Sequence, residues 1–214
     1  MTPLQHKVTP MSRITTLDFL RHGEPVGGKR YRGQTDDPLS DKGWAQMRVA
    51  TEGARPWQAI VTSPLSRCRA FADWLAGETA LPVKLEPGFA EVGFGVWEGH
   101  TAQELNQADP DAVFDFKRDP AGRRPEGAEA LDAFMARVAA AFEATLSAHA
   151  GRHVLVVAHA GVMRMVACHA LGLDPARAYR VNVGSAALMR IKVEQRGAKR
   201  LDTLMWLGQG EGGE

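Results

Sequence analysis

Two short apolar runs constrain this chain more than any other feature: ITTLDFL at 14–20 and HVLVVA at 153–158. Both are too short for helices and rich in β-branched residues, so each reads as a buried strand. Each also ends in a histidine followed within two residues by glycine, in LRHG at 20–23 and AHAG at 158–161. QAIVTS at 58–63 reads as a third strand. Pro64 then opens the helix LSRCRAFADWLAG, with Leu65, Cys68, Ala72 and Leu75 on one face, Ser63 expected as N-cap and Gly77 expected past the end. Three more helices follow from pattern. LSDKGWAQMRVATEG has Ser40 as its cap, and GVMRMVACHALG is stopped by Gly172. In EALDAFMARVAAAFEATLSAHAG the residues Leu131, Phe134, Met135, Val138, Phe142 and Leu146 recur at three and four, and Gly151 follows. RVNVGSAALMRIKVE and KRLDTLMWL read as two late strands. Strands alternating with helices predict an α/β fold, a three-layer α/β/α sandwich around a mostly parallel sheet.

A length of 214 residues suits one domain with its own core. The polar, proline-punctuated stretch at about 99–126 is expected to form a small helical cap insertion over one end of the sheet. Residues 1–12 and 208–214 are expected to be disordered, with Met11 as an alternative start. With 26 basic and 25 acidic residues the net charge is +1, so no global field favours nucleic acid or an anionic membrane. Any anion must be recognised locally. The two cysteines, Cys68 and Cys168, lack CxxC spacing and suit free thiols in a reducing compartment, which makes the cytoplasm the expectation. No stretch reaches the roughly 18 apolar residues of a bilayer span, and the opening residues carry no secretory core. His6, His100, His149, His153 and His169 lack ligand spacing, so neither a metal nor another cofactor is expected. A homo-oligomer is left open.

In open α/β sheets ligands bind beyond the carboxyl ends of the strands. Arg21, His22 and His159 all fall at such ends. Polar residues there can simply cap strands, yet two histidines ending two separate strands, one preceded by arginine, weigh towards a site. Arg67 lies in the first helical turn, where the macrodipole disfavours a cation by about 0.3–1 kcal/mol unless an anion is bound. Its planar fork can take two phosphate oxygens at once. In FAEVGFGVWEGHT, Glu91 precedes the glycine-rich turn of Gly93 and Gly95, a composition suited to carrying a carboxylate into a crevice as a general acid. Glu98, beside Gly99, is the rival for that role.

LRHGEP, RGQTDDPLSDKG, SPLSRCRA, FAEVGFGVWEG and VAHAGVMR, in that order, resemble the histidine phosphatase superfamily, over about residues 15–193. The resemblance implies a phosphoglycerate mutase-like sandwich with a small cap, forming a single domain over 13–207. It makes His22 the nucleophile that becomes phosphorylated, Arg21, Arg67 and a protonated His159 the phosphate pocket, and Glu91 the proton donor. Gly23, Arg32, Gly33 and Ala160 join the substrate-binding set. The second ring nitrogen of His22 is expected to donate to a backbone carbonyl. GWAQM, the stretch FKRDPAGRRPEGAEALDAFMARV and the short chain look closer to the alpha-ribazole phosphatase-like branch, which acts late in cobalamin assembly. The implied partner is a small-molecule phosphate ester, with alpha-ribazole 5′-phosphate as the named candidate. The alternatives are a mutase and a phosphoryl-binding module without turnover. Mutases of this family usually carry a tryptophan-asparagine pair shortly after the first motif, where this chain has PVGGK at 25–29. Two departures stand out: Pro25 removes a backbone donor, and Ala160 replaces a glycine but keeps its N–H. Arg30 and Arg32 offer compensating donors, and Arg123 and Arg124 of the cap invite a similar reading.

Overall fold

In a computed structural model that describes residues 12–53 and 55–208, six strands and six α-helices follow one another along the chain. They are β1 (Arg13–Arg21), α1 (Asp41–Ala50), β2 (Ala59–Thr62), α2 (Ser66–Thr79), β3 (Val83–Leu85), α3 (Ala102–Ala108), α4 (Ala112–Arg118), α5 (Leu131–Ala148), β4 (His153–Ala158), α6 (Ala160–Leu171), β5 (Leu188–Arg196) and β6 (Lys199–Gly208). The sheet order is β3-β2-β4-β1-β5-β6. The first four are parallel to their neighbours, while β5 runs antiparallel to β1 and β6 antiparallel to β5. The sheet is therefore mostly parallel.

Alternation along the strands divides the core into two layers. Leu17 and Phe19 of β1, with Val154 and Val156 of β4, pack against Phe134, Val138 and Phe142 of α5 and Val162 and Met163 of α6. Leu20, Leu155, Val157 and Ile60 face the other way, onto Met47 of α1 and Cys68, Phe71 and Leu75 of α2. Full burial of each such side chain contributes about 1.5–3 kcal/mol. Two helical layers thus enclose the sheet, the expected α/β/α sandwich.

The helix ends follow the predicted chemistry in part. Ser40 Oγ accepts from Gly43 N at 3.1 Å at the start of α1, and Gly172 ends α6 with φ 64°. Helix α2 departs at both ends. It starts at Ser66, Leu65 occupies the N-cap position without a side-chain bond, and Ser63 Oγ instead accepts from Leu65 N at 3.3 Å. It also runs through Gly77 to a left-handed Ala80 at φ 54°. The expected strand from residue 180 begins only at Leu188: Arg180 closes a 3₁₀ turn opened by Pro175, and 181–187 are neither helix nor strand. Strand β3, which pairs with β2, had no counterpart in the sequence reading. Within 99–126 lie α3, opened by a capping box between Thr101 and Glu104, and α4, whose Phe116 meets Tyr179 of the 3₁₀ turn at 4.8 Å between ring centroids. Among the described residues no helix is long and apolar enough to cross a membrane. The expectations for residues 1–11 and 209–214 lie outside the described residues; Gly208, expected in the tail, ends β6.

Candidate active site

Strand register brings the two histidines together. In the β1–β4 pair Arg21 lies opposite Ala158, and His22 N donates to Ala158 O at 3.0 Å. The next residues of each strand therefore leave the sheet side by side, and the imidazole centroids of His22 and His159 stand 5.2 Å apart. Strand β2 ends beside β4, which carries Ser63 Oγ to 2.7 Å from His159 Nε2. The first turn of α2 contributes Arg67, only 1% exposed. Its Nη1 donates to Thr35 O and its Nη2 to Gly33 O, each at 2.8 Å, while Nε is buried with no hydrogen-bond partner among the described residues. Arg21 Nη1 donates to Val183 O at 2.6 Å. Glu91 reaches the site from the loop after the 3₁₀ turn Pro87–Phe89, its Oε2 accepting from Gly161 N at 3.2 Å and its Oε1 from Val92 N at 3.0 Å. Arg21, His22, Arg67, Glu91 and Ala160 line one cavity of about 280 Å³.

Proton positions follow from the surroundings. His22 Nδ1 lies 2.7 Å from Gly23 O, and because a carbonyl only accepts, Nδ1 carries the proton and Nε2 keeps its lone pair. Burial, reinforced by the charges of Arg67 and Arg21, holds His22 well below the usual histidine pKa. His159 is depressed in the same way, by burial first and then by Arg67, His22 and Arg21. It is thus neutral, where a protonated side chain was expected. The guanidinium charge repels its proton, and only an anion in the cavity would reverse that balance.

The chain matches the Histidine phosphatase superfamily (branch 1) over residues 17–205. It belongs to that superfamily. Phosphoserine phosphatase 1 of Hydrogenobacter thermophilus is 31% identical over 189 residues, covering 86% of this chain and 89% of that one. The structure of a mycobacterial glucosyl-3-phosphoglycerate phosphatase matches with a TM-score of 0.80 at 27% identity, covering 94% of this chain and 100% of that one. A putative alpha-ribazole-5′-P phosphatase of Escherichia coli matches with a TM-score of 0.75 at 26% identity, over 91% and 96% of the two chains. A bifunctional protein of Mycobacterium tuberculosis is 32% identical over 81% of this chain, which spans about half (49%) of that relative's length.

The remaining histidine phosphatase positions separate into cavity and support. Glu98 is support: its Oε1 accepts from Gln34 N and Phe94 N, and its Oε2 from Thr35 N and Thr35 Oγ1 at 2.7 Å. Burial raises its pKa, but these bonds prevail and hold it low. It thereby braces the loop whose carbonyls grip Arg67. Gly33 has φ 54°, and a Cβ there would strike Glu98 and Phe94 N. It lines the cavity, as does Arg32, whose Nε donates to Asp37 Oδ2 at 2.8 Å and whose Nη2 donates to Val26 O at 2.6 Å. Gly23 and His159 differ from expectation, since neither lines the cavity: the Cα of Gly23 packs on the backbone of Gly43, where any Cβ would collide, and His159 is fully buried with its Nε2 on Ser63 Oγ. Ala160 and Pro25 both line the cavity. Arg30 lines it too, anchored to Gly99 O at 2.7 Å. Arg123 is exposed and Arg124 sits over Phe116, both outside the lining.

Several residues escaped the sequence reading. Tyr31, Phe94, Lys117, Arg164 and Tyr179 line the cavity. Arg137 of α5 donates to Gly88 O, Ala90 O and Glu91 O and pairs with Glu129 at 2.7 Å, so it clamps the loop that presents Glu91. Arg164 had a signal, since it falls one turn after Ala160 on α6. Arg137 had none. Cys68 Sγ lies 3.6 Å from His159 Nε2, and burial pushes its thiol far above the range of a nucleophile. Among the described residues no cluster of three His, Cys, Asp or Glu is placed to hold a metal.

Proposed function

We propose that the protein is a phosphomonoesterase that works through a phosphohistidine on His22. The observation that carries the reading is the 2.7 Å contact between His22 Nδ1 and Gly23 O, which leaves the lone pair on Nε2 of a neutral, buried imidazole in the field of Arg67, Arg21 and Arg32. Nε2 attacks phosphorus, and the bond to the ester oxygen breaks as Glu91, in its acid form, protonates the departing alkoxide. Arg21, Arg67 and His159 hold the non-bridging oxygens, and the unpartnered Nε of Arg67 is a donor awaiting such an oxygen. The Glu91 carboxylate then takes a proton from water, which cleaves the N–P bond and releases inorganic phosphate. His22 is regenerated neutral.

The substrate is a small phosphate ester. Alpha-ribazole 5′-phosphate is the specific candidate, and the names of the relatives add phosphoserine and glucosyl-3-phosphoglycerate. The test is inorganic phosphate release across these esters without a bisphosphorylated primer, beside a His22→Ala sample. Release by the wild type and at least a 10³-fold loss in the folded variant are expected. Primer-dependent transfer to an acceptor in place of release would make the protein a mutase. Binding without release from any ester would make it a phosphoryl-binding module.

A further inference from the structure

All five N–H groups of the Arg137 guanidinium find acceptors. Nε and Nη2 donate to the two carboxylate oxygens of Glu129, at 2.7 and 2.8 Å, and the remaining three reach backbone carbonyls: Gly88 O at 2.9 Å, Ala90 O at 2.7 Å and Glu91 O at 3.0 Å. Glu129 holds the far side of the same loop. Its Oε2 accepts from Gly93 N at 3.2 Å, and its own N donates to Gly93 O at 3.0 Å. One ion pair, its members only 25% and 20% exposed, thus grips the backbone on both sides of Glu91. The pair is itself fixed, since Arg137 lies on α5 with Cζ 4.7 Å from the ring centroid of Phe134, a core residue. At its other end Glu91 has little room. Gly161 N, in the first turn of α6, holds Oε2, and a Cβ on Gly161 would strike Oε1. A loop shifted by about 1 Å would give up that contact and carry the carboxyl away from the ester oxygen, and a misplacement of that size can cost about 10²-fold in rate.

We propose that Arg137 and Glu129 act together as one positioning device for the general acid, and that what the pair sustains is proton donation by Glu91. The inference rests on the phosphomonoesterase reading and adds to it two residues that do not line the cavity. Helix α5 packs on the sheet through Phe134, Val138 and Phe142, so the pair refers the place of Glu91 to the core and not to a neighbouring loop. Arginine is the side chain the task demands. Its planar fork spans a carboxylate and three carbonyls at once, whereas lysine carries three donors on a single nitrogen and cannot cover that set. Glutamine at position 129 would keep one acceptor but give up the charge-assisted, two-point contact that orients the fork.

The experiment measures kcat/KM for substituted phenyl phosphates, from phenyl to p-nitrophenyl, in the wild type, Arg137→Lys, Glu129→Gln, Glu91→Gln and the Glu91→Gln/Arg137→Lys double variant, each confirmed as folded by its melting curve. Poorer leaving groups need the proton most. Arg137→Lys is expected to lose about 10²-fold on phenyl phosphate and less than about threefold on p-nitrophenyl phosphate, with Glu129→Gln losing less in the same direction. In the Glu91→Gln background the effect of Arg137→Lys is expected to vanish, because no proton donor is left to position. A loss spread evenly over the series, a loss that persists without the Glu91 carboxyl, or wild-type rates in either variant of the pair overturns the proposal. Should the wild type turn over no ester at all, the phosphomonoesterase reading fails, and the amide resonance of Gly161, whose N–H donates to Glu91 Oε2, still decides the positioning role. In Arg137→Lys that resonance is expected to move to where it lies in Glu91→Ala; a resonance that stays at its wild-type position overturns the proposal.

Discussion

Glu91 and Glu98 sit in one glycine-rich stretch, yet their surroundings divide the work. Glu98 accepts from three backbone N–H groups and one hydroxyl, so its oxygens are committed to holding the 33–35 loop. Glu91 accepts from two backbone N–H groups, at 3.0 and 3.2 Å, and faces the cavity. Glu91→Gln is therefore expected to reduce turnover of alkyl phosphates by about 10²-fold or more, while p-nitrophenyl phosphate, whose leaving group departs without a proton, loses less than about tenfold. Steady-state rates on the two ester classes check this, and equal losses would remove Glu91 from acid catalysis. Both carboxylates were legible in the sequence as candidates. Their separation was not, because it depends on where the backbone donors of residues 33–35 arrive, some 60 positions earlier in the chain.

At the scale of elements, helix boundaries show what local chemistry controls. Ser40 both accepts from Gly43 N and donates to Glu24 O at 2.8 Å, tying the start of α1 to the loop that follows His22. Ser40→Ala is expected to lower stability by about 1 kcal/mol in a chemical denaturation curve. Helix α2 ends on Ala80 at φ 54°, a conformation that an L-residue with a Cβ adopts at a cost of about 1–2 kcal/mol. Ala80→Gly should thus stabilise the protein or leave it unchanged in the same assay, because relief of strain is partly offset by the larger entropy of glycine when unfolded; clear destabilisation would contradict the left-handed cap. Ser40 and Gly172 were readable because a cap and its helix are adjacent in sequence. The ends of α2 were not, because an exposed Gly77 with open space around it is tolerated inside the helix once Phe71 and Leu75 are packed.

For the whole molecule, burying two imidazoles beside several guanidinium groups at the carboxyl ends of the central strands ties stability to pH. His22 and His159 are both held well below 6.5 by burial and neighbouring positive charge. The unfolded chain accordingly takes up protons first as pH falls. Their contribution to stability is complete above about pH 6.5 and is lost as pH falls from there towards the lower folded values. The melting temperature is expected to decline between pH 6.5 and 5, and His159→Gln should flatten that decline; a wild-type curve level across the interval would contradict neutral, buried histidines. Asp18, held low although burial acts against it, by Arg190, Trp57 and His153, adds a second loss only in more acid solution.

By itself the sequence determined that two apolar strands end in histidine, that amphipathic helices follow them, and that five motifs stand in the order of one superfamily. Those are properties of neighbours a few residues apart, where side-chain period and capping act directly. Only the tertiary structure decided that His22 and His159 share a register, that Arg137 clamps the loop of Glu91, and that Arg164 lies over Tyr179. Each of the first two joins residues dozens of positions apart, and the third depends on the 3₁₀ turn Pro175–Arg180, which the sequence pattern left unassigned apart from Arg180. Such contacts are chosen by which arrangement buries the most apolar surface while leaving the fewest polar groups without partners.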